Sequence, residues 1–243
     1  MNEQLALDLN GIKAVVVELQ QLLGNDVSVI LIGSAARNAR TQDSDIDLLL
    51  IGRERPHVTK SFAGFHIQTS STPEFRENLK RGEDFESWCV RLGIPLSDGA
   101  GHWATAVASE EAKQWPRWEL KVTHGARRLF LAHSLFEMGD NPAASEELVY
   151  TLGHIGRGLL LKSGTFPLSR PELAEQLRQL GYPHLASIHE TLRTTNASHN
   201  VLSQAIGYSK RLLCHLDRNA YGALAREQRR KTLKKRASIP KVH

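Results

Sequence analysis

The chain has 243 residues, of which 41% are hydrophobic, so it can bury one large core or two modest ones, and we expect two. Its first residues, Met-Asn-Glu-Gln, lack the basic start of a signal peptide, and no apolar run approaches the roughly 18 residues that cross a bilayer. Cys89 and Cys214 stand alone, without the spacing of a zinc site or a disulfide framework. We therefore expect a protein of the cytoplasm that makes no membrane contact.

The formal net charge of +5 belongs to the C-terminal tail. Residues 226–243 contain eight of the 31 lysines and arginines but one acid, Glu227, which leaves the preceding residues with a balance of about −2. A basic run without apolar periodicity predicts a flexible tail, which could contact nucleic-acid phosphates through Arg229, Arg230, Lys231, Lys234 and Lys235. A solvated, frayed terminus is the alternative explanation.

The chain begins with an amphipathic pattern that predicts a helix over residues 3–23, ended by Gly24. Two short apolar runs follow, at residues 27–32 and 46–51, and each has the length and composition of a buried strand. A turn of small residues and a polar loop separate the two runs. We expect the helix to cover the sheet that these strands form.

Two carboxylates lie at the start of the second predicted strand. Because side chains alternate between the faces of a strand, Asp45 and Asp47 should project from one face while Ile46, Leu48 and Leu50 fill the other. Two like charges at such a position resist desolvation unless a cation lies between them. Hard oxygen ligands suit Mg²⁺, which commonly combines one or two protein carboxylates with substrate phosphates.

The turn after the first strand begins with Gly33 and Ser34. A glycine there lets the backbone approach a ligand closely, and the N–H groups at the start of a helical turn favour anions. Phosphate is the natural ligand for such a turn.

The sequence Gly-Ser, ten residues and Asp-x-Asp, from Gly33 to Asp47, resembles the signature of the DNA polymerase β-type nucleotidyltransferase superfamily. The resemblance is closest to the minimal and the aminoglycoside nucleotidyltransferases. It implies an α+β domain with a small mixed sheet and flanking helices, which transfers a nucleotidyl group from an NTP, with ATP as the expected nucleotide, with the help of Mg²⁺. Relatives of this kind include antibiotic-modifying enzymes and members of toxin-antitoxin systems.

The third predicted strand, residues 62–70, departs from the family pattern. The superfamily commonly has a third carboxylate on a neighbouring strand, but this segment contains no acid. His66 could replace it as the general base, since an imidazole can accept a proton near neutral pH. Glu119, or an acid on the acceptor-binding partner, is the alternative base. The missing carboxylate also leaves open a non-catalytic regulator that binds a nucleotide or RNA.

Helices are then predicted over residues 74–82 and 84–92, followed by an edge strand at 94–98 that tolerates Pro95. Together these elements define a first domain at residues 1–102. Beyond it, helical periodicity predicts a bundle at 103–225. One of its helices should have Asn141 as the N-cap and Pro142 as the first helical residue, and Ser169 and Glu172 should form a capping box. The order of the two domains resembles nucleotidyltransferases that are followed by a HEPN-like bundle.

Some HEPN-like proteins are ribonucleases with an Arg-x(4–6)-His motif. Arg193 and His199 have this spacing, but so do several other arginine and histidine pairs in the chain, so the spacing alone carries little information. A ribonuclease is therefore a further alternative.

The function that we expect from the sequence is nucleotidyl transfer. Gly33 and Ser34 would hold the NTP phosphates, Arg37 would neutralise their charge, and Asp45 and Asp47 would hold Mg²⁺. The acceptor, a hydroxyl or an amine on a small molecule, a protein or RNA, would enter between the two domains.

Overall fold

The computed structural model describes residues 3–39, 44–217, 221–222 and 225–226. Contacts within the chain divide it into two compact units, Met1–Pro116 and Arg117–His243. The first unit contains a sheet with helices on both faces, and the second is helical. The predicted fold class, an α+β domain followed by an all-α domain, is confirmed.

The first unit contains a four-stranded sheet and its covering helices. The strands are β1 (Val27–Ile32), β2 (Ile46–Gly52), β3 (Phe65–Ser71) and β4 (Ile94–Ser97). The helices are α1 (Glu3–Leu23), α2 (Gly33–Ala36), α3 (Thr72–Arg81), α4 (Asp84–Leu92), α5 (His102–Val107) and the 3₁₀ helix Glu110–Lys113.

The strands lie in the order β3-β2-β1-β4. β1 pairs antiparallel with β2 and β4, whereas β3 runs parallel to β2. The register places Ile32, the last residue of β1, opposite Asp47, and it places Asp47 opposite His66 of β3. The end of β1 and the starts of β2 and β3 therefore meet at one edge of the sheet.

Both faces of the sheet are buried, which explains why β1 and β2 are almost continuously apolar. On one face α1 contributes Ile12, Val16 and Leu19 to a cluster with Leu48 and Leu50. On the other face, Leu49 and Ile51 pack with residues from the helices that follow β3, namely Phe75, Leu79, Cys89, Trp103 and Ala106. β2 is thus held between two apolar layers, and its polar residue Asp47 lies at its N-terminal end.

The second unit is built from α6 (Trp118–Glu137), α7 (Asn141–Lys162), α8 (Arg170–Gln179), α9 (Pro183–Thr194) and α10 (His199–Leu216). One apolar cluster joins all five helices, and it includes Leu129, Leu152, Leu177, Leu185 and Leu213, each fully buried. The capping box of Ser169 and Glu172 is present at α8. The cap of α7 is Asp140, which accepts a hydrogen bond from the N–H of Ala143, so the prediction that Asn141 is the cap is wrong by one residue.

The predicted strands agree with the structure except at the start of β3. That strand begins at Phe65 and not at residue 62, because Gly64 adopts a positive φ of 76° and the N–H of Phe65 turns back to the carbonyl of Phe62. The contacts also group residues 103–116 with the sheet, whereas the sequence assigned them to the bundle. Trp103 explains the difference, since it is 6% exposed and packs edge-on against Phe75.

The structure bears differently on the predicted basic tail and on the predicted absence of membrane-spanning segments. The basic residues Arg229, Arg230, Lys231, Lys234 and Lys235 lie outside the described residues. Within the part of the chain that is described, no helix combines the length and the apolar character needed to cross a bilayer.

Candidate active site

The sheet register brings together residues that are distant in the sequence. Gly33 and Ser34 follow the last residue of β1, Asp47 lies opposite that residue on β2, and His66 lies opposite Asp47 on β3. Because β2 lies between β1 and β3, the Asp47 side chain at its start can contact residues on both sides. Asp47 is therefore the centre of the candidate site.

Gly33 lies against the carboxylate of Asp47. Its φ of 74° belongs to the left-handed region that favours glycine, and a Cβ atom added there would lie 2.2 Å from Asp47 Oδ2. The backbone conformation and the close contact each require glycine at this position. The turn that should receive phosphate and the carboxylate that should receive a metal are thus in direct contact.

His66 contacts the other oxygen of the same carboxylate. His66 Nδ1 lies 3.1 Å from Asp47 Oδ1, and the two side chains are 59% and 31% exposed. An ionised carboxylate can only accept hydrogen bonds. In this contact Nδ1 therefore carries the hydrogen atom and donates the hydrogen bond to Asp47. The lone pair of a neutral His66 is then on Nε2, as it is in histidines that a carboxylate orients for base catalysis.

Asp45 immediately precedes β2, and its side chain is exposed. No group of three or more histidine, cysteine, aspartate or glutamate side chains among the described residues could hold a metal ion. Two carboxylates nevertheless match the protein share of a Mg²⁺ site in which substrate phosphates and water supply the other ligands. The chemistry of Asp45 and Asp47 thus fits a metal that is bound together with a nucleotide.

Ser34 lies on the short helix α2, and Arg37 is the residue that follows its last turn. Ser34 is half-buried one residue after Gly33, and its carbonyl accepts hydrogen bonds from the N–H groups of Arg37 and Ala39. The Arg37 guanidinium lies over the Trp88 ring of α4, 5.2 Å from its centroid. This cation-π contact limits the positions of Arg37, and it could not be predicted from the sequence because the two residues are 51 positions apart.

Helix α4 adds two buried ionisable groups near the same strand. Burial raises the pKa of the Cys89 thiol well above its ordinary value, and the negative charges of Glu86 and Asp47 raise it further. Burial also raises the pKa of Glu86, against the hydrogen bond that Asn78 donates to its carboxylate at 2.8 Å. Neither residue was predicted from the sequence to lie near the site, although their spacing of three on a predicted helix indicated that they share a face.

Other candidates from the sequence lie in the helical unit. Glu119 is at the start of α6, with its carboxylate 3.8 Å from Arg117. Arg193 is in the last turn of α9, whereas His199 begins α10 and stacks on Phe136 with 4.3 Å between ring centroids.

Residues 12–95 match the family model of the nucleotidyltransferase domain. A comparison with curated protein sequences finds no match. Among solved structures, the chain is similar to a nucleotidyltransferase-like protein from Exiguobacterium sibiricum, with 18% sequence identity, a TM-score of 0.47, and coverage of 83% of this chain and 73% of that chain.

The segment that matches the family model extends from the middle of α1 to the start of β4. It includes the glycine turn, both aspartates and His66. The part of the chain that is similar to this family therefore contains the whole candidate site.

Proposed function

We propose that the protein transfers a nucleoside monophosphate from an NTP, with ATP as the first nucleotide to test, to a hydroxyl or amine of an acceptor. The family match supports nucleotidyl transfer in general. The single observation that carries the specific proposal is the contact of one carboxylate, Asp47, with both Gly33 and His66.

The nucleotide would bind at the turn after β1. The backbone of Gly33 and the backbone and hydroxyl of Ser34 donate hydrogen bonds to the terminal phosphates, and Arg37 neutralises part of their charge. Asp45 and Asp47 hold Mg²⁺, which supplies charge stabilisation at the phosphates when it is bound. The left-handed backbone at Gly33 supports this arrangement, because it favours glycine. The turn therefore has no side chain beside the carboxylate.

His66 would act as the general base. Its Nε2 takes the proton from the acceptor hydroxyl or amine as the acceptor atom bonds to the α-phosphorus. The bond between the α-phosphorus and the bridging oxygen then breaks, and pyrophosphate leaves with the electron pair. The hydrogen bond from His66 Nδ1 to Asp47 supports this role, because it keeps the lone pair on Nε2.

A non-catalytic nucleotide-binding regulator is the second candidate. One observation favours it, namely that β3 contains no carboxylate from Phe65 to Ser71. Such a protein would bind the nucleotide with its metal at the same residues but would transfer nothing.

The experiment that tests the proposal follows the α-phosphate. The protein is incubated with Mg²⁺ and each α-³²P-labelled NTP, together with cell lysate, total RNA or a panel of aminoglycosides. We expect label on one class of acceptor, and we expect Asp45→Asn and Asp47→Asn each to abolish it. Asp26→Asn is the matched control, because Asp26 lies just before β1 and contacts His102 outside the proposed site.

The base is tested in the same assay. We expect His66→Gln to lower the transfer rate by about 10²–10⁴-fold while nucleotide binding persists, which is the usual contribution of a positioned base. His215→Gln serves as its control, since that histidine is exposed in the last turn of α10. Binding of Mg·ATP without label on any acceptor would support the regulator instead, and undiminished transfer by Asp47→Asn would exclude the proposed site.

A further inference from the structure

The helical unit contains a cavity of about 1080 Å³ that the proposed transfer does not use. It lies beside α7 and α9 and extends to the segment that joins α9 to α10. Its volume lies just above the usual range of small-molecule sites, about 300–1,000 Å³.

The ionisable side chains around the cavity are mostly basic: Arg128, Arg157, Arg193, His154 and His189, against Glu146 as the acid. The guanidinium of Arg128 is held by Glu147, which accepts hydrogen bonds at 2.9 and 3.0 Å. Arginines from α6, α7 and α9 thus line one space. Such groups match phosphate oxygens in both charge and geometry.

The buried part of the cavity lining contains both polar and apolar side chains, which suits a ligand that combines polar and apolar groups. His189 is 2% exposed, and Leu173 and Leu192 are 1% and 5% exposed. A Cβ atom at Gly153 would lie 3.9 Å from His189 Nε2 and 4.0 Å from one terminal nitrogen of Arg157. Because residue 153 has no side chain, these two nitrogen atoms border the same open point above α7.

We propose that this cavity binds a small phosphorylated ligand, about the size of a nucleoside monophosphate, as a second site separate from the nucleotide site of the sheet. Arg157 and Arg193 would contact the phosphate, and His189 would hydrogen-bond a polar group of the ligand. The excess of arginine also disfavours a cationic ligand such as an aminoglycoside. His199, which would complete a ribonuclease pair with Arg193, stacks on Phe136 and does not line the cavity.

The test measures binding where the sheet site has been disabled. The full chain carrying Asp45→Asn and Asp47→Asn is titrated calorimetrically with AMP in EDTA, and adenosine and inorganic phosphate serve as the other probes. We expect AMP to bind this variant as tightly as it binds the unmodified chain, and we expect adenosine to bind at least tenfold more weakly. In the same background, Arg193→Gln and Arg157→Gln should each weaken AMP binding at least tenfold.

Arg127→Gln is the matched control, because Arg127 is exposed next to Arg128 on α6 but does not line the cavity. It should change AMP affinity less than twofold. Gly153→Leu provides an independent variant, which should block the site sterically while circular dichroism shows an unchanged helical content. Arg193 is exposed at the end of its helix, so its substitution keeps the test valid even if Arg157→Gln fails to fold.

Four results would overturn the inference. The first three are the absence of AMP binding up to millimolar concentration, equal affinity in the Arg193→Gln and Arg127→Gln variants, and binding of single-stranded RNA by the cavity without binding of AMP. The fourth is loss of AMP binding on substitution of Asp45 and Asp47, because the ligand would then lie at the sheet. Label transfer is measured in a separate assay, so either proposal can fail without the other.

Discussion

Gly33 differs from most glycines of the chain in what surrounds it. A side chain at this position meets the Asp47 carboxylate at 2.2 Å, whereas Gly24 has nearly the same φ, 77°, and no atom within 4 Å of the corresponding point. The two residues flank the same strand, β1. They therefore separate the effect of a left-handed backbone from the effect of contact with the site.

We predict that Gly33→Ala reduces nucleotidyl transfer by at least about 100-fold, because the added methyl group displaces Asp47 from its place beside His66. Both Gly33→Ala and Gly24→Ala introduce strain of about 1–2 kcal/mol from the left-handed conformation. Urea unfolding should thus show destabilisation in both, with the greater loss in Gly33→Ala. Equal transfer rates in the two variants would contradict the claim that the turn positions the carboxylate.

The residues of the site differ in how far the sequence predicts them. The spacing from Gly33 to Asp47 is local, so it indicated both the turn and the strand that carries the carboxylate. The position of His66 beside Asp47 depends on the register of two parallel strands, and the loop between them leaves that register undetermined in the sequence. The stacking of Arg37 on Trp88 depends on tertiary packing alone, and local pattern does not encode it.

At the scale of elements, α4 buries a carboxyl group under the sheet. Glu86 is 7% exposed, and burial raises its pKa above the ordinary value of 4.5, as do the nearby charges of Glu83 and Glu74 to a smaller extent. The folded state therefore holds the proton of Glu86 more tightly than the unfolded state does. Stability from this group is fully present below the unfolded pKa and is lost as the pH rises through the folded pKa.

We predict that Glu86→Gln has little effect on the free energy of unfolding below pH 4.5 and stabilises the protein progressively as the pH rises above that value. The amide oxygen can still accept the hydrogen bond from Asn78, so the substitution removes the charge and keeps the contact. Urea unfolding at a series of pH values measures the difference. Glu77→Gln on α3, where the side chain is 51% exposed, is the control and should show no comparable trend.

Elements that combine a regular pattern with clear end signals were predicted closely. The strands at 27–32 and 46–51 and the capping box at Ser169 are examples, since each depends on neighbours in the sequence. The assignment of residues 103–116 differed because Trp103 and Ala106 are apolar on a helix that could have packed in either unit. Which core receives such a helix depends on the space available, and sequence periodicity does not contain that information.

At the scale of the whole molecule, the two units have separate cores. The sheet is buried between two apolar clusters drawn from the first unit, and the helices α6 to α10 share one cluster drawn from the second. A unit with a core of its own satisfies the main physical requirement for folding alone. The cavity beside α7 and α9 is also lined by residues of the second unit only.

We therefore predict that residues 117–243, expressed without the first unit, form a folded helical domain with a cooperative thermal transition by circular dichroism. The matched control is the shorter fragment 139–243, which lacks α6 and with it Val122, Ala126, Leu129 and Ala132 of the shared core. That fragment should be unfolded or molten, because α7 to α10 would expose the surface that α6 covers. If residues 117–243 showed no cooperative transition, the core of the second unit would depend on the first. If the two fragments melted alike with a cooperative transition, α6 would not be needed for that core.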